Sequence, residues 1–285
     1  MSTRGRVRFG AQRLVRDDQA GAARLLYRVL GVADPAHYLH YRYCRRALDR
    51  FGPASPRAIL DAGSERGDFT VYLAQRYPAA RVDGIEIRDD HLAKAAAGTE
   101  RLGVANVRYR LGDLRAMEET AEYDVIVCID VLEHIPEQDE VLRRLRRALR
   151  PGGVAFLHVP TRRASRVPFA RWLGDFFRWS HDEHLAEERT GDQFTAAVAS
   201  AGFEVLEARP TFGYFAGELA TSLFNLPYRD TALNRVLQAA VSPICRLLVL
   251  ADPWYPGRTR FALGVTARAP ASRPGPSDAG GPSSR

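Results

Sequence analysis

Only three cysteines, Cys44, Cys128 and Cys245, stand in the 285 residues. They form no CxxC pair, so neither a disulfide framework nor a cysteine-built metal centre is expected, and no metal-ligand spacing is read elsewhere. No run reaches the roughly 18 uninterrupted apolar residues that cross a bilayer, and the first residues lack the apolar core of a signal peptide. A soluble or at most peripheral protein in a reducing cytoplasm is the expectation. Lysine is nearly missing too: Lys94 is the single one. The net charge of +7 is therefore carried by arginine, and Arg4, Arg6, Arg8, Arg13 and Arg16 all precede the first acid, Asp17. With the excess gathered in an arm, the body is nearly balanced, which argues against a nucleic-acid partner.

What is present is globular: 46% hydrophobic and 26% charged residues suit one large domain with additions. After the basic arm, 1–20, residues 21–56 show helical spacing, with Asp34 placed as a cap and Pro35 at a first helical position. An alternation of strands and helices then starts at Arg57 and runs to 268. "RAILDAG", "RVDGIEI", "NVRYRL", "YDVIVCI" and "PGGVAFLHVP" read as strands, and "DFTVYLAQRY", "DDHLAKAAAGTERLG" and "DEVLRRLRRALR" as helices. Such units imply an α/β fold with a parallel sheet covered on both faces and a ligand site at the carboxyl ends of the strands.

Two stretches exceed the loops this sheet needs, 161–190 and 210–257. The first carries Phe169, Trp172, Phe176, Phe177 and Trp179 beside Arg163, Arg166 and Arg171, and reads either as a lid over an aromatic, lipid-like or anionic acceptor or as an ordinary amphipathic cap. The second contains a helical apolar stripe, at 233, 236, 237, 240, 241, 244, 247 and 248, interrupted by Pro243. Core packing is its simplest reading; a peripheral membrane contact and a homodimer remain open. The Pro-, Gly- and Ser-rich end, 269–285, cannot pack a core and is expected to be a flexible tail.

Chemistry is concentrated at the strand ends. In "AILDAGSERGDFT", Asp61, Gly63 and Gly67 occupy a strand end and the turn into a helix, where absent Cβ atoms let a ligand approach backbone N–H groups. A tight turn without a ligand is the alternative for the glycines alone. Glu86, about 20 residues on at the next strand end, is placed to accept both hydroxyls of a ribose. The nicotinamide fingerprint GxGxxG does not occur.

The ordered motifs "ILDAGSERGDFTVYLA", "VDGIEI", "VRYRLGDL", "YDVIVCIDVLEHI" and "ALRPGGVAFLHVP" resemble class I S-adenosylmethionine-dependent methyltransferases, in particular the branch of ubiquinone and menaquinone biosynthesis. The resemblance implies a Rossmann-like seven-stranded sheet with helices on both faces, N-terminal helices and a helical insertion before the last strand. It implies S-adenosylmethionine as cofactor, with Asp61, Gly63, Ser64, Glu65 and Gly67 along its methionine half and Glu86 on the ribose. Ile87, Asp113 and Leu114 would serve the adenine, and Asp130 and Val131 would sit nearest the sulfonium. For Asp113 taken alone, capping a turn is the alternative.

A hydroxyl acceptor benefits from a base near neutral pH, a task suited to histidine. His134 in "LEHI" and His184 in "DEHL" are the candidates, with His181 behind them; a hydrogen-bonded structural role is the alternative for each. Glu133 either orients His134 or caps the following helix. The absence of NPPY or DPPY after the fourth strand argues against methylation of base or protein nitrogens. The expected activity is methyl transfer to a small or lipid-like acceptor, at a hydroxyl oxygen. Against it stand a binding protein of the same fold without catalysis, suggested by Glu65 in the glycine turn, and an RNA methyltransferase.

Overall fold

Strand β1 (Ala58–Ala62) illustrates why the central strands form: every residue is apolar except Asp61, and all five are buried. The computed structural model describes residues 35–161, 189–213, 219–225, 232–251 and 261–271, with Val15, Leu25 and Phe215. The aromatic stretch with His181 and His184, nearly all of the basic arm, Asp34 and the C-terminal tail beyond 271 lie outside the described residues.

In chain order the elements are α1 (Pro35–Phe51), β1, α2 (Asp68–Arg76), β2 (Arg81–Glu86), α3 (Asp89–Arg101), β3 (Val107–Leu111), β4 (Tyr123–Ile129), α4 (Gln138–Ala148) and β5 (Leu149–Pro160). There follow α5 (Gly191–Ser200), β6 (Glu204–Thr211), α6 (Thr221–Asn225), α7 (Ala232–Ala251) and β7 (Ala262–Arg268). Seven strands form one sheet in the order β3-β2-β1-β4-β5-β7-β6.

The sheet is not wholly parallel, as the alternation alone suggested. β1 to β5 pair in parallel, but β7 runs antiparallel to both β5 and β6. The chain route explains the reversal. β6 ends at Thr211 and β7 begins at Ala262, and Ala262 pairs with both Thr211 and Pro160 of β5. The second insertion therefore leaves and re-enters the sheet at the same edge, the carboxyl end of β5, and the returning strand must point the other way.

Two cores sandwich the sheet. In β4, Ile126 and Cys128 face one side, with α4 and α5 residues Leu142, Leu145, Phe194 and Val198. Val125 and Val127 face the other side, with Cys44, Ala47 and Leu48 of α1 and Tyr72 and Leu73 of α2. The period-two alternation of a strand buried on both faces produces this division. Helix α1 thus shares the sheet's own core. A third cluster, Leu39, Phe212, Ala220, Phe224, Cys245 and Val249, ties α1 to α6 and α7. On α7 the buried face is Ala239, Ser242, Cys245 and Val249, whereas Leu233, Leu237, Ile244 and Leu247 of the apolar stripe are exposed among the described residues. No helix among those residues is long and apolar enough to cross a membrane.

Candidate active site

Five strands, β1 to β5, deliver polar side chains to or just beyond their carboxyl ends. At the end of β1 the turn is held against β2, with the N–H groups of Gly63 and Ser64 donating to the Ile85 carbonyl at 2.9 and 2.8 Å. Gly63 has φ of 80°, and a Cβ there would stand 2.3 Å from Cγ2 of Val131. Glycine is required twice over, by conformation and by the close approach of Val131. Gly67, φ 83°, sets the chain into α2.

Glu65 takes the left-handed region with φ of 46°, an uncommon place for a side-chain-bearing residue. Its side chain is 51% exposed, turned to His37 at 3.8 Å and Arg66 at 3.7 Å. Its backbone N–H donates to Oε2 of Glu86 at 2.8 Å, while the N–H of Arg88 donates to Oε1 at 2.9 Å. The irregular residue of the glycine turn therefore contributes through its backbone, orienting the Glu86 carboxylate.

Asp61 is buried and accepts a hydrogen bond from the Thr70 hydroxyl at 2.5 Å. Burial, partly offset by that bond and reinforced by the negative charge of Glu86, pushes its pKa up to about 7. Beside it the Ser64 hydroxyl is buried with no hydrogen-bond partner. At the end of β3, Asp113 caps the short turn Leu114–Ala116 through the Arg115 N–H and binds the Arg115 guanidinium at 2.6 Å. Its capping role is realised. Leu114 is buried and Ile87 is exposed.

At the end of β4, Asp130 has φ of 50° and receives two imidazoles that sequence reasoning did not single out. His158 Nδ1 lies 2.6 Å from its Oδ1, and His40 Nε2 lies 3.0 Å from its Oδ2. The other ring nitrogen of His158 meets the Thr211 hydroxyl at 2.9 Å. Phe212 packs on both rings, with centroids 4.8 Å from His40 and 5.4 Å from His158. Burial works to raise the Asp130 pKa, but the facing histidines outweigh it and hold the carboxyl well below its ordinary range. Burial lowers the pKa of His40, against the pull of Asp130.

Glu133 is buried in the turn Leu132–His134; burial, and next the charge of Asp130, pushes its carboxyl well above the carboxylate range. It does not cap α4, whose cap position is Glu137; its Oε1 is 4.0 Å from His134 Nε2. The His134 side chain is 39% exposed. Signals for the residues that were missed are faint. His158 is a lone histidine inside an apolar strand, His40 one of two in an aromatic helix, and Thr211 precedes an insertion.

The profile of a family described as a methyltransferase domain matches residues 36–208, well over half of the chain. The chain belongs to that family. Within this methyltransferase domain, 169 residues are 27% identical to a ubiquinone biosynthesis O-methyltransferase of Paracidovorax citrulli, covering 57% of the chain and 69% of the relative. A trans-aconitate 2-methyltransferase of Deinococcus radiodurans is 34% identical over 132 residues, 45% of the chain and 49% of that protein. The chain thus spans between about half and two thirds of these relatives. The phosphoethanolamine N-methyltransferase 2 of Haemonchus contortus, solved with S-adenosyl-L-methionine, superposes with a TM-score of 0.58 at 18% identity, covering 88% of the chain and 60% of the other.

S-adenosylmethionine is the cofactor of this methyltransferase domain. Its strand ends fit such a molecule: the Gly63 cradle would be closed by a Cβ, Ser64 holds an unpaired buried hydroxyl, and two carboxylates, Asp61 and Glu86, stand ready for a cationic, hydroxyl-bearing ligand.

Proposed function

We propose that the enzyme transfers the methyl group of S-adenosylmethionine to a hydroxyl oxygen of a small or lipid-like molecule. The observation that supports this reading is His134, a partly open imidazole in the turn directly after Asp130, backed by the buried Glu133. When bound, S-adenosylmethionine supplies a methyl group on a positively charged sulfur, which an acceptor oxygen can displace in line. Gly63, Ser64, Glu65 and Gly67 would hold its methionine part, through backbone groups and the Ser64 hydroxyl, and Asp61 would supply a carboxylate for its positive charge. Glu86 would hold the ribose, and Ile87, Leu114 and Asp113 would border the adenine.

In the proposed chemistry the chain's own task is to align the acceptor, exclude water and take one proton. His134 accepts that proton from the hydroxyl. The O-methyltransferase named among the relatives supports the choice of atom. Release of S-adenosylhomocysteine with a panel of phenols, quinols and other hydroxylated acceptors tests it, with the site of methylation read by mass spectrometry. His134→Gln should lower kcat about 100-fold, the low end of general-base contributions, with little change in cofactor affinity. Methylation at nitrogen or carbon, or full activity of the variant, would overturn the reading.

A further inference from the structure

We propose that His40, Asp130 and His158 bind a divalent transition-metal ion at the carboxyl edge of the sheet. The three come from α1, the residue after β4, and β5, so their spacing along the chain shows nothing. In space one donor atom from each lies within 4.8 Å of the other two, and the nearest pair is 2.6 Å apart. Bonds of about 2.0–2.2 Å to nitrogen and oxygen put ligand atoms about 3 to 4 Å apart; the His40–Asp130 separation of 3.0 Å fits, and the His158–Asp130 pair, hydrogen-bonded at 2.6 Å, must open slightly to admit the ion.

His158 already hydrogen-bonds both Asp130 and Thr211, and two further features suit an ion beside those bonds. His40 Nε2 is buried and 3.0 Å from Asp130 Oδ2, yet it is not aligned for a hydrogen bond. It faces the carboxylate as ligands of one ion face each other. Around the ligands, the remaining parts of a metal centre are in place. Thr211, fully buried, meets Nε2 of His158 and fixes the ring so that Nδ1, hydrogen-bonded to Asp130, points at the carboxylate, as an outer partner fixes a ligating ring. Phe212 forms an apolar wall against both rings. Asp130 and Phe212 both hold positive φ, 50° and 55°, strain that the fold retains on both sides of the cluster.

Two imidazoles and one carboxylate suit zinc, cobalt, iron or nickel more than magnesium or calcium, and three protein ligands leave coordination positions open. The Asp130 side chain is 38% exposed, so solvent reaches those positions. The ion's place does not depend on which atom receives the methyl group.

The test uses the full, tag-free chain stripped of metal. Cobalt titrated into it should give, at one equivalent, the intense visible spectrum of a low-coordinate nitrogen and oxygen site, and zinc should displace it. His40→Gln should weaken cobalt binding at least 100-fold, and Thr211→Val, which leaves all three ligands, about tenfold. Circular dichroism melting and S-adenosylmethionine affinity confirm that both variants fold. A spectrum of the hydrated ion only, a thiolate band from Cys44, Cys128 or Cys245, or unchanged binding in folded His40→Gln would overturn the proposal. If cobalt binds as expected but no acceptor is methylated at oxygen, the metal site stands and the hydroxyl reading falls.

Discussion

The two halves of the strand-end edge are built differently. On the β1–β2 side, Asp61, Gly63, Ser64, Glu65, Gly67 and Glu86 lie within a short stretch of chain and are held largely by backbone bonds, such as those from Gly63 and Ser64 to Ile85. On the β4–β5 side, Asp130 depends on His40 from before the sheet, His158 from the next strand and Thr211 from beyond the first insertion. A local turn carries its own geometry. A cluster drawn from four segments exists only once the core around it has closed, because each member is placed by a different packing contact.

The largest effect that would break this contrast is expected at Gly63. Gly63→Ala adds a Cβ against Val131 in a left-handed backbone, costing about 2 to 5 kcal/mol of stability. It should also remove measurable S-adenosylmethionine binding, as read by chemical denaturation and calorimetry. Because Val131 follows Asp130, this variant also probes whether the two halves move together: altered cobalt binding in it would show that they do.

Glu86→Ala comes next. It takes the acceptor from the N–H groups of Glu65 and Arg88 and should weaken cofactor binding by about 1.5–3 kcal/mol, roughly 10- to 150-fold, while leaving the β4–β5 cluster unchanged.

A third effect is a pH dependence of the β1 side. With Asp61 at about 7 in the folded protein against an ordinary 3.8, ionisation opposes folding. Its contribution is fully present below about pH 4, is lost as pH rises toward 7, and is constant above that. A cationic ligand favours the ionised form, so S-adenosylmethionine affinity should rise between pH 6 and 8 with release of a proton, seen as a buffer-dependent heat. Thr70→Val, which removes the bond that lowers this pKa, should move the rise to higher pH.

The smallest effect is expected at Glu65. With its side chain exposed and φ at 46°, Glu65→Gly relieves backbone strain but adds freedom to the unfolded chain. The net change should be within about 1 kcal/mol, with cofactor affinity altered less than threefold. A large loss of binding would instead mean that its carboxylate touches the ligand.

The contrast also explains what could be read in advance. The order of strands and helices, the glycine turn and Glu86 were legible because each is a pattern of neighbours, either period-two burial or a fixed offset from strand to turn. Asp130 stands in a motif that the sequence shows, yet its partners do not. His158 looks like an interior residue of an apolar strand, and nothing near His40 shows that α1 packs across the sheet edge. The antiparallel β7 does not follow from the alternation for the same reason, since direction depends on where the insertion leaves and rejoins the sheet, although the seven-stranded sheet that the resemblance implied is present.

The sequence by itself determined the local conformations: strands buried on both faces, a turn that only glycine can make at Gly63, and carboxylates at the ends of β1 and β2. The tertiary structure alone decided which distant side chains share a space. Backbone preference and hydrophobic period act over a few residues, whereas the meeting of His40, Asp130, His158 and Thr211 follows from how α1 and β5–β7 close around one edge. That closure is a property of packing.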